Sequence, residues 1–272
     1  MQVVDLQRLA ASYAALARQA RDVQAARERA QRAGGYRVIT GAAGIDQWSD
    51  QDLLDFQAMA NRLGIRPADL LLVLYSESAL KPSSAARNAD GYPVAVGLNQ
   101  ITAILNSSLG LTEDDRIALL DKTVGEQLPY VEKCLRMFNK YKLPDAGALY
   151  TLNFAPARLA RGTDGNVVLY DSKADPSAYQ SNKNADIGKK GFINIEDMRI
   201  ALRRNQHHTD FLKALARYQA VTGDSQDPVI FPPPSGSGSS DEEGSPWPWL
   251  LGGVVVIGAG VVAYRRYHKA PR

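Results

Sequence analysis

The sequence predicts a mainly α-helical domain that is followed, after a linker, by one membrane-spanning helix. Apolar residues recur at helical spacing between positions 45 and 222, and motifs that start helices precede several of these stretches. The strict alternation of apolar and polar residues that is typical of half-buried strands is scarce in the same region. Residues 247–264 form an uncharged, predominantly apolar run. The 272 residues can therefore hold one sizeable domain with appendages at both ends.

Residues 1–44 are predicted to form an amphipathic helix and a connector. The helix is predicted from a heptad-like apolar stripe, and it should end at the adjacent glycines 34 and 35, because two glycines typically end a helix. We favour packing of this helix on its own domain, and docking on a partner or self-association is the alternative. A basic head followed by an apolar core, as in a signal peptide, is absent. The heptad-like stripe consists of Leu6, Leu9, Tyr13, Leu16, Ala20 and Val23.

Within the predicted domain, several helix starts can be read from local chemistry. Ser49 stands ahead of acidic residues as an N-cap, Pro67 suits a first helical turn, and Thr112 precedes three acidic residues. Apolar residues at helical spacing predict a further helix within 122–141. The loop 85–96 is long enough to hold a short hairpin.

The residue with the strongest chemical signal is Glu77, which follows the apolar run 70–75. Burial on an apolar helix disfavours the charged form of a carboxyl group and raises its pKa. A carboxylic acid that stays protonated near neutral pH can act as a general acid in glycosidic-bond cleavage. For an isolated Glu at a helix end, exposure to solvent is the simpler interpretation, so the neighbouring motifs decide the matter.

Three segments in order carry a resemblance to a known family. Residues 77–85 read E-S-A-L-K-P-S-S-A, residues 95–101 read A-V-G-L-N-Q-I, and residues 152–159 read L-N-F-A-P-A-R-L. Together they resemble the lysozyme-like lytic transglycosylases, whose elements run E-S, A-x-G-L-M-Q-I and Y-N-A-G-P-x-R-V. The resemblance covers roughly 45–220, and order and spacing make it more specific than any single motif.

Several positions depart from that pattern. Asn99 stands in place of a Met, Leu152 in place of the Tyr of the third element, and Ala155 in place of its Gly. Tyr150 lies two positions before Leu152 and could supply the missing ring. The run N-F-A-P at 153–156 is similar to the variant found in phage virion-associated members.

The resemblance implies a mainly α, lysozyme-like fold of the goose-type and lytic transglycosylase kind, acting on glycan strands of peptidoglycan. It implies that Glu77 first protonates the leaving oxygen of the β-1,4 bond between N-acetylmuramic acid and N-acetylglucosamine. The resulting carboxylate then takes the proton of the muramoyl C6 hydroxyl, which closes onto C1. The implied substrate-binding residues are Ser78, Gly97, Leu98, Gln100, Tyr150 and Asn153, and neither a metal nor an organic cofactor is required.

Two alternatives remain open at this point. A water-using lysozyme of the same fold would share Glu77, and a catalytically weak glycan-binding or structural virion protein would not need it. Ordinary glycosidases pair two carboxyl groups across the bond. No second Asp or Glu falls within the three matched elements, and Asp90 is the nearest candidate outside them.

Residues 186–197 have the outline of a twelve-residue EF-hand calcium loop, with Gly191 at the sixth position and an acid at the twelfth. The third and fifth positions, which normally supply oxygen ligands, are Gly188 and Lys190. We therefore predict the shape of a calcium loop without calcium, ending in a helix over 195–204.

The carboxyl end is predicted to anchor the domain. Residues 223–246 are rich in Pro, Ser and Gly and read as a tether. Residues 247–267 carry the apolar run with aromatic residues near both ends and are predicted to cross a membrane once, and 268–272 form a basic tail. The basic side is expected to face the cytoplasm or its equivalent, with the domain facing the cell wall. A membrane-associated phage virion is the favoured setting, and the periplasmic face of a bacterial inner membrane is the alternative.

Composition excludes other classes of function. The net charge of +3 is small and basic residues are not interleaved with stacking aromatics, so no nucleic-acid partner is expected. The single cysteine, Cys134, cannot form an intrachain disulfide, and the three histidines lack metal-ligand spacing.

Overall fold

A computed structural model describes residues 44–138, 141 and 143–230, and this part of the chain is mainly helical, which confirms the predicted fold class at that level. Short 3₁₀ turns connect several of the helices. The α-helices are α1 (Asp50–Leu63), α2 (Pro67–Ser78), α3 (Asn106–Leu109), α4 (Glu113–Ala118), α5 (Val124–Arg136), α6 (Ala146–Phe154), α7 (Pro176–Asn182), α8 (Ile195–Gln206) and α9 (Thr209–Thr222).

Short strands form two small sheets, and the hairpin predicted for 85–96 is present. The first sheet has the order β1-β2-β3, with β2 and β3 antiparallel and Val96 opposite Ile101; in the second, β4 and β5 are antiparallel with a bulge. The strands are β1 (Ala85–Arg87), β2 (Pro93–Val96), β3 (Ile101–Thr102), β4 (Val168–Asp171) and β5 (Phe192–Asn194).

The predicted helix starts are confirmed by their capping contacts. Ser49 and Thr112 each accept a hydrogen bond from the third helical N–H, and the acid at that position bonds back to the cap, which is a capping box. Pro67 occupies the first turn of α2. The helix predicted within 122–141 is shorter, because Thr123 caps α5 and the helix ends at Arg136.

Helix α2 is the central element of the core. Every residue in it except Tyr75 is buried, and it packs against α1, α6, α8 and α9. A helix that is apolar on all sides is stable only when neighbours surround it. Helix α6 is buried to a similar degree, with Asn153 as its one residue outside the buried class. The last turns of two buried helices therefore carry Glu77 and Asn153.

The segment that follows α9 packs against the helical domain. The Val229 N–H donates to Asp69 Oδ1 at 2.7 Å, and the Ala146 N–H donates to the Val229 carbonyl at 3.0 Å. Val229 thus connects the first turn of α2 with the first residue of α6. The predicted tether begins at 223, but these bonds hold the chain to the domain as far as 229.

Residues Arg87–Pro93 fall in a different compact unit from the rest of the described residues. Within it, Asn88 Oδ1 accepts hydrogen bonds from the N–H groups of Asp90 and Tyr92, and Arg87 donates to the Gly91 carbonyl. These bonds define a tight turn, in which the positive φ of Gly91 (79°) suits a residue without a Cβ.

Several predicted segments lie outside the described residues. They are the N-terminal helix within 1–43, the tether from 231 to 246, the membrane-spanning helix at 247–267 and the basic tail at 268–272. Among the helices that the structure describes, none has the length and apolar character to span a bilayer.

Candidate active site

Glu77 lies in the last turn of α2, and its side chain is 4% exposed. The helix ends at Ser78, and Ala79 then takes a left-handed conformation (φ 52°) while its N–H donates to the Tyr75 carbonyl at 2.8 Å. Leu80 follows with φ 62°. Two consecutive residues with side chains in this region are uncommon, and such backbone strain clusters at functional sites.

The surroundings of Glu77 bring the pKa of its carboxyl group close to neutral pH. Burial raises its pKa from 4.5 to about 7, and a hydrogen bond from Asn153 opposes part of that rise. Both the acid and the carboxylate are therefore populated near pH 7. A single group in that condition can donate a proton in one step and accept one in the next.

Asn153 contacts the carboxyl group directly. Its Nδ2 donates to Glu77 Oε1 at 2.9 Å, and its Oδ1 accepts a hydrogen bond from Asn99 Nδ2 at 2.9 Å. Helix α6, which carries Asn153, begins at Asp145, whose side chain caps it and forms a buried ion pair with Arg199 at 2.8 Å. The first and third sequence elements predicted for the site are thus joined by one hydrogen bond.

Tyr150 lies one turn before Asn153 on α6 and is 2% exposed. Burial and the negative charge of Glu77 raise its pKa well above the ordinary value. The ring is therefore near the carboxyl group and stays neutral. Its predicted contact with a sugar remains a prediction, since the phenol is packed in the core.

The structure places Ser78, Gly97 and Leu98 in supporting positions. Ser78 Oγ donates to the Leu74 carbonyl within α2 at 2.9 Å. A Cβ added at Gly97, whose φ is 75°, would lie 2.5 Å from Gln127 Oε1, and the same oxygen accepts the Leu98 N–H at 2.9 Å. The resemblance implies that Gly97 binds substrate, and the fold itself supplies another reason for a glycine here.

Gln100 is also engaged within the protein. Its Nε2 donates to the carbonyls of Gly97 (2.8 Å) and Ser84 (3.3 Å), and its Oε1 accepts the Ala86 N–H at 3.2 Å. Both amide protons are used, and the backbone of Gln100 adopts a positive φ of 46°. These contacts give Gln100 a role in holding the turn 97–100, and its predicted bond to a sugar remains a prediction.

The sequence analysis missed Gln127, which is 2% exposed on α5. Its Nε2 lies within hydrogen-bonding distance of the carbonyls of Pro82, Leu119 and Lys122, at 2.7 to 3.2 Å. It stands three residues after Val124, inside the apolar stripe of the helix. A polar residue at such a position signals a buried network, and this signal could have identified it.

Asp90 was the nearest candidate for a second carboxyl group outside the three matched elements. Asp90 is exposed in the turn Arg87–Pro93. In the part of the chain that the structure describes, no cluster of His, Cys, Asp and Glu has the arrangement to hold a metal ion.

The loop that resembles an EF-hand is closed by groups of the protein. Lys190 Nζ donates to Asp197 Oδ1 at 2.6 Å, and the ammonium lies 5.0 Å from the centre of the Phe192 ring. The two oxygens of Asp186 accept the N–H groups of Lys190 and Gly191 at 2.9 and 2.8 Å. The acids at the first and twelfth positions thus bind protein donors, and the prediction that the loop does without calcium can be tested directly.

Comparisons with known proteins add no relative: no family model matches the sequence, and searches of curated proteins and of solved structures each gave no match.

Proposed function

We propose that this protein is a peptidoglycan lytic transglycosylase with a lysozyme-like fold and Glu77 as its single acid and base. The observation that carries the proposal is a buried carboxyl group with a pKa of about 7 at the end of a buried helix. Its neighbours are amide and neutral aromatic groups, as expected where one carboxyl group must change protonation state during a reaction.

In the proposed reaction, the protonated Glu77 gives its proton to the oxygen that joins C1 of N-acetylmuramic acid to N-acetylglucosamine. The bond from C1 to that oxygen breaks, and the N-acetylglucosamine end leaves as an alcohol. The Glu77 carboxylate then removes the proton of the muramoyl C6 hydroxyl, whose oxygen forms a bond with C1. The products are a 1,6-anhydro end and a regenerated acid, so no water is consumed.

Asn153 supports this cycle because its amide donates to the carboxyl oxygen and favours the charged form midway through it. Burial favours the neutral form that starts it. The balance between the two leaves the pKa near 7, where acid and base strengths suit transfer in both directions.

The experiment is digestion of isolated sacculi followed by mass spectrometry of the muropeptides. Anhydro ends support the proposal, reducing ends would indicate a water-using lysozyme, and an absence of products from a folded protein would indicate a binding or structural module. Glu77→Gln keeps the side-chain volume and removes the titrating group, so we expect a loss of several orders of magnitude in rate. Near-normal activity of the folded variant would refute the assignment.

We further propose that the enzyme works beside a membrane, anchored by residues 247–267, and opens the wall locally during phage entry. The similarity of N-F-A-P at 153–156 to phage virion-associated members supports that setting. A bacterial inner-membrane protein facing the periplasm is the alternative. Fractionation of virions and of host membranes with an antibody against the domain distinguishes the two.

A further inference from the structure

Behind the candidate site lies a buried amide, Asn99, that is connected to Glu77 through Asn153. Its side chain is 2% exposed, and its Nδ2 lies 2.9 Å from Asn153 Oδ1 and 3.5 Å from the sulfur of Cys134. Its Oδ1 is buried and has no hydrogen-bond partner within the described chain. A buried acceptor without a hydrogen-bond partner costs about 1–3 kcal/mol of stability. Such a cost in a native protein calls for an explanation.

The contact with Asn99 fixes which way the Asn153 amide faces. Asn153 Nδ2 donates to Glu77, so its Oδ1 must accept, and the Asn99 amide supplies that donor. Rotating the Asn153 amide by half a turn would place its oxygen against the Glu77 carboxyl oxygen and its nitrogen against the Asn99 nitrogen. Both contacts would be repulsive while Glu77 is charged and Asn99 keeps its orientation. The two amides thus form a directional chain that ends on the carboxyl group.

Asn99 itself stands on a rigid support. It lies in the turn 97–100, where the Gly97 N–H donates to the Ser84 carbonyl at 2.8 Å and the Gln100 side chain holds the Gly97 carbonyl. Gln127 Oε1 accepts a hydrogen bond from the N–H of Leu98, the next residue in the turn. The backbone that carries Asn99 is therefore anchored at several points.

We propose that Asn99 is a positioning residue that acts through Asn153 to hold the Glu77 carboxyl group in the orientation in which it gives and takes a proton. This inference rests on the proposed function, because it assumes that Glu77 performs the chemistry. Asn99 is a departure from the pattern that the chain resembles, so its role follows from the contacts of this structure.

The electrostatic consequence has a definite sign. The hydrogen bond that Asn153 donates lowers the pKa of Glu77 and so opposes the effect of burial. If the Asn153 amide is no longer held in place, this hydrogen bond weakens and the pKa of Glu77 should rise above about 7. Tyr150 on α6 and Cys134 on α5 also respond to the charge of Glu77, and burial raises the pKa of Cys134 to about 12 and that of Tyr150 well above its ordinary value. Both are neutral between about pH 5 and 9 and do not obscure the titration of Glu77.

Helices α8 and α9, which also pack on α2, provide hydrogen-bond partners for other residues of it. From α8, Asn205 Nδ2 donates to Ser76 Oγ at 2.8 Å, and His208, which caps α9, lies 2.6 Å from the Tyr75 hydroxyl. Positions 75 and 77 are about 200° apart around a helix. Asn205 is an amide that donates a hydrogen bond to Ser76, the residue before Glu77 on the same helix, and it therefore serves as a matched control.

The test compares Asn99→Ala, Asn99→Leu, Asn153→Ala and the double variant Asn99→Ala/Asn153→Ala with the wild type and with Asn205→Ala. The first readout is the titration midpoint of Glu77, followed by carboxyl-carbon NMR in the full chain held in detergent. The second is the kcat and KM of muropeptide release. Asn99→Leu fills the space of the amide and keeps the test valid if the cavity in Asn99→Ala prevents folding.

We expect both Asn99 variants to raise the midpoint by about one pH unit and to lower kcat about 10- to 100-fold with little change in KM. In the Asn153→Ala background, Asn99→Ala should add nothing to the midpoint shift, and Asn205→Ala should leave the midpoint unchanged. Lower thermal stability with an unchanged midpoint and kcat would overturn the proposal, as would full additivity with Asn153→Ala. If the wild type releases no muropeptides, the proposed function fails, whereas the NMR midpoints still decide whether Asn99 acts on Glu77.

Discussion

The buried carboxyl group of Glu77 should make the folded domain less stable as pH rises, and Glu77→Gln should remove that dependence. The pKa rises from 4.5 to about 7 on folding, because burial disfavours the charged form. Between these values the folded state binds a proton that the unfolded chain has released. Stability from this group is therefore complete below about pH 4.5 and is lost as pH rises through about 7. A shift of this size corresponds to about 3 kcal/mol at full extent.

The assay is urea unfolding of the wild type and of Glu77→Gln at about pH 5 and about pH 8.5. Most, but not all, of the change in the free energy of unfolding occurs between these two values. The variant should gain about 2–3 kcal/mol over the wild type between the two conditions, since glutamine has no proton to lose. In thermal unfolding the same change should appear as about 5–10 °C for a domain of this size. Taking the difference between the two proteins cancels the contributions of all the groups that they share.

Asp46→Asn serves as the control for charge, because it removes an exposed carboxyl group from the same domain. It should leave the difference between the two pH values as in the wild type. If Glu77→Gln and the wild type show the same pH dependence, the carboxyl group is hydrated in the folded protein and the reasoning from burial is wrong.

Three further predictions concern the cap of α6, the loop that resembles an EF-hand and the segment that follows α9. Asp145→Ala removes the cap of α6 and the buried partner of Arg199, so urea unfolding should show a loss of about 3 kcal/mol; a loss below about 1 kcal/mol would contradict the buried pair. Calcium should leave the thermal midpoint unchanged, because Lys190 and backbone N–H groups bind the loop carboxylates, and a rise that a chelator reverses would show that other ligands complete the site. Deleting 231–272 should leave a folded, active domain, whereas a chain ending at 222 should melt lower because it loses the bonds of Val229; equal midpoints would mean that this segment adds no stability.

The predictions that succeeded from sequence were those decided by local chemistry. The caps at Ser49 and Thr112 and the first-turn Pro67 depend on side chains within a few residues of the backbone groups they satisfy. The hairpin within 85–96 is likewise a short-range feature. The end of the helix predicted within 122–141 was placed too late, because apolar residues continue at helical spacing beyond Arg136, where the helical backbone ends.

The roles of individual polar residues could not be read from the sequence. Gly97 and Gln100 have the residue types expected at a sugar-binding turn, but the structure uses the first to admit Gln127 and the second to hold backbone carbonyls. An amide that binds a ligand and an amide that supports a turn have the same chemistry. Only the distances to long-range partners separate them.

The sequence by itself determined a helical domain, the apolar helix that ends in Glu77 and the order of the three motif elements, because each depends on composition and spacing along the chain. The tertiary structure decided that Glu77 is buried with a pKa near 7 and that Asn153 and Asn99, 76 and 22 residues away in sequence, line up behind it. The physical reason is that hydration and hydrogen-bond direction depend on every element packed around a group. Helix α6 reaches Glu77, and the turn 97–100 reaches Asn153, only when the core has formed.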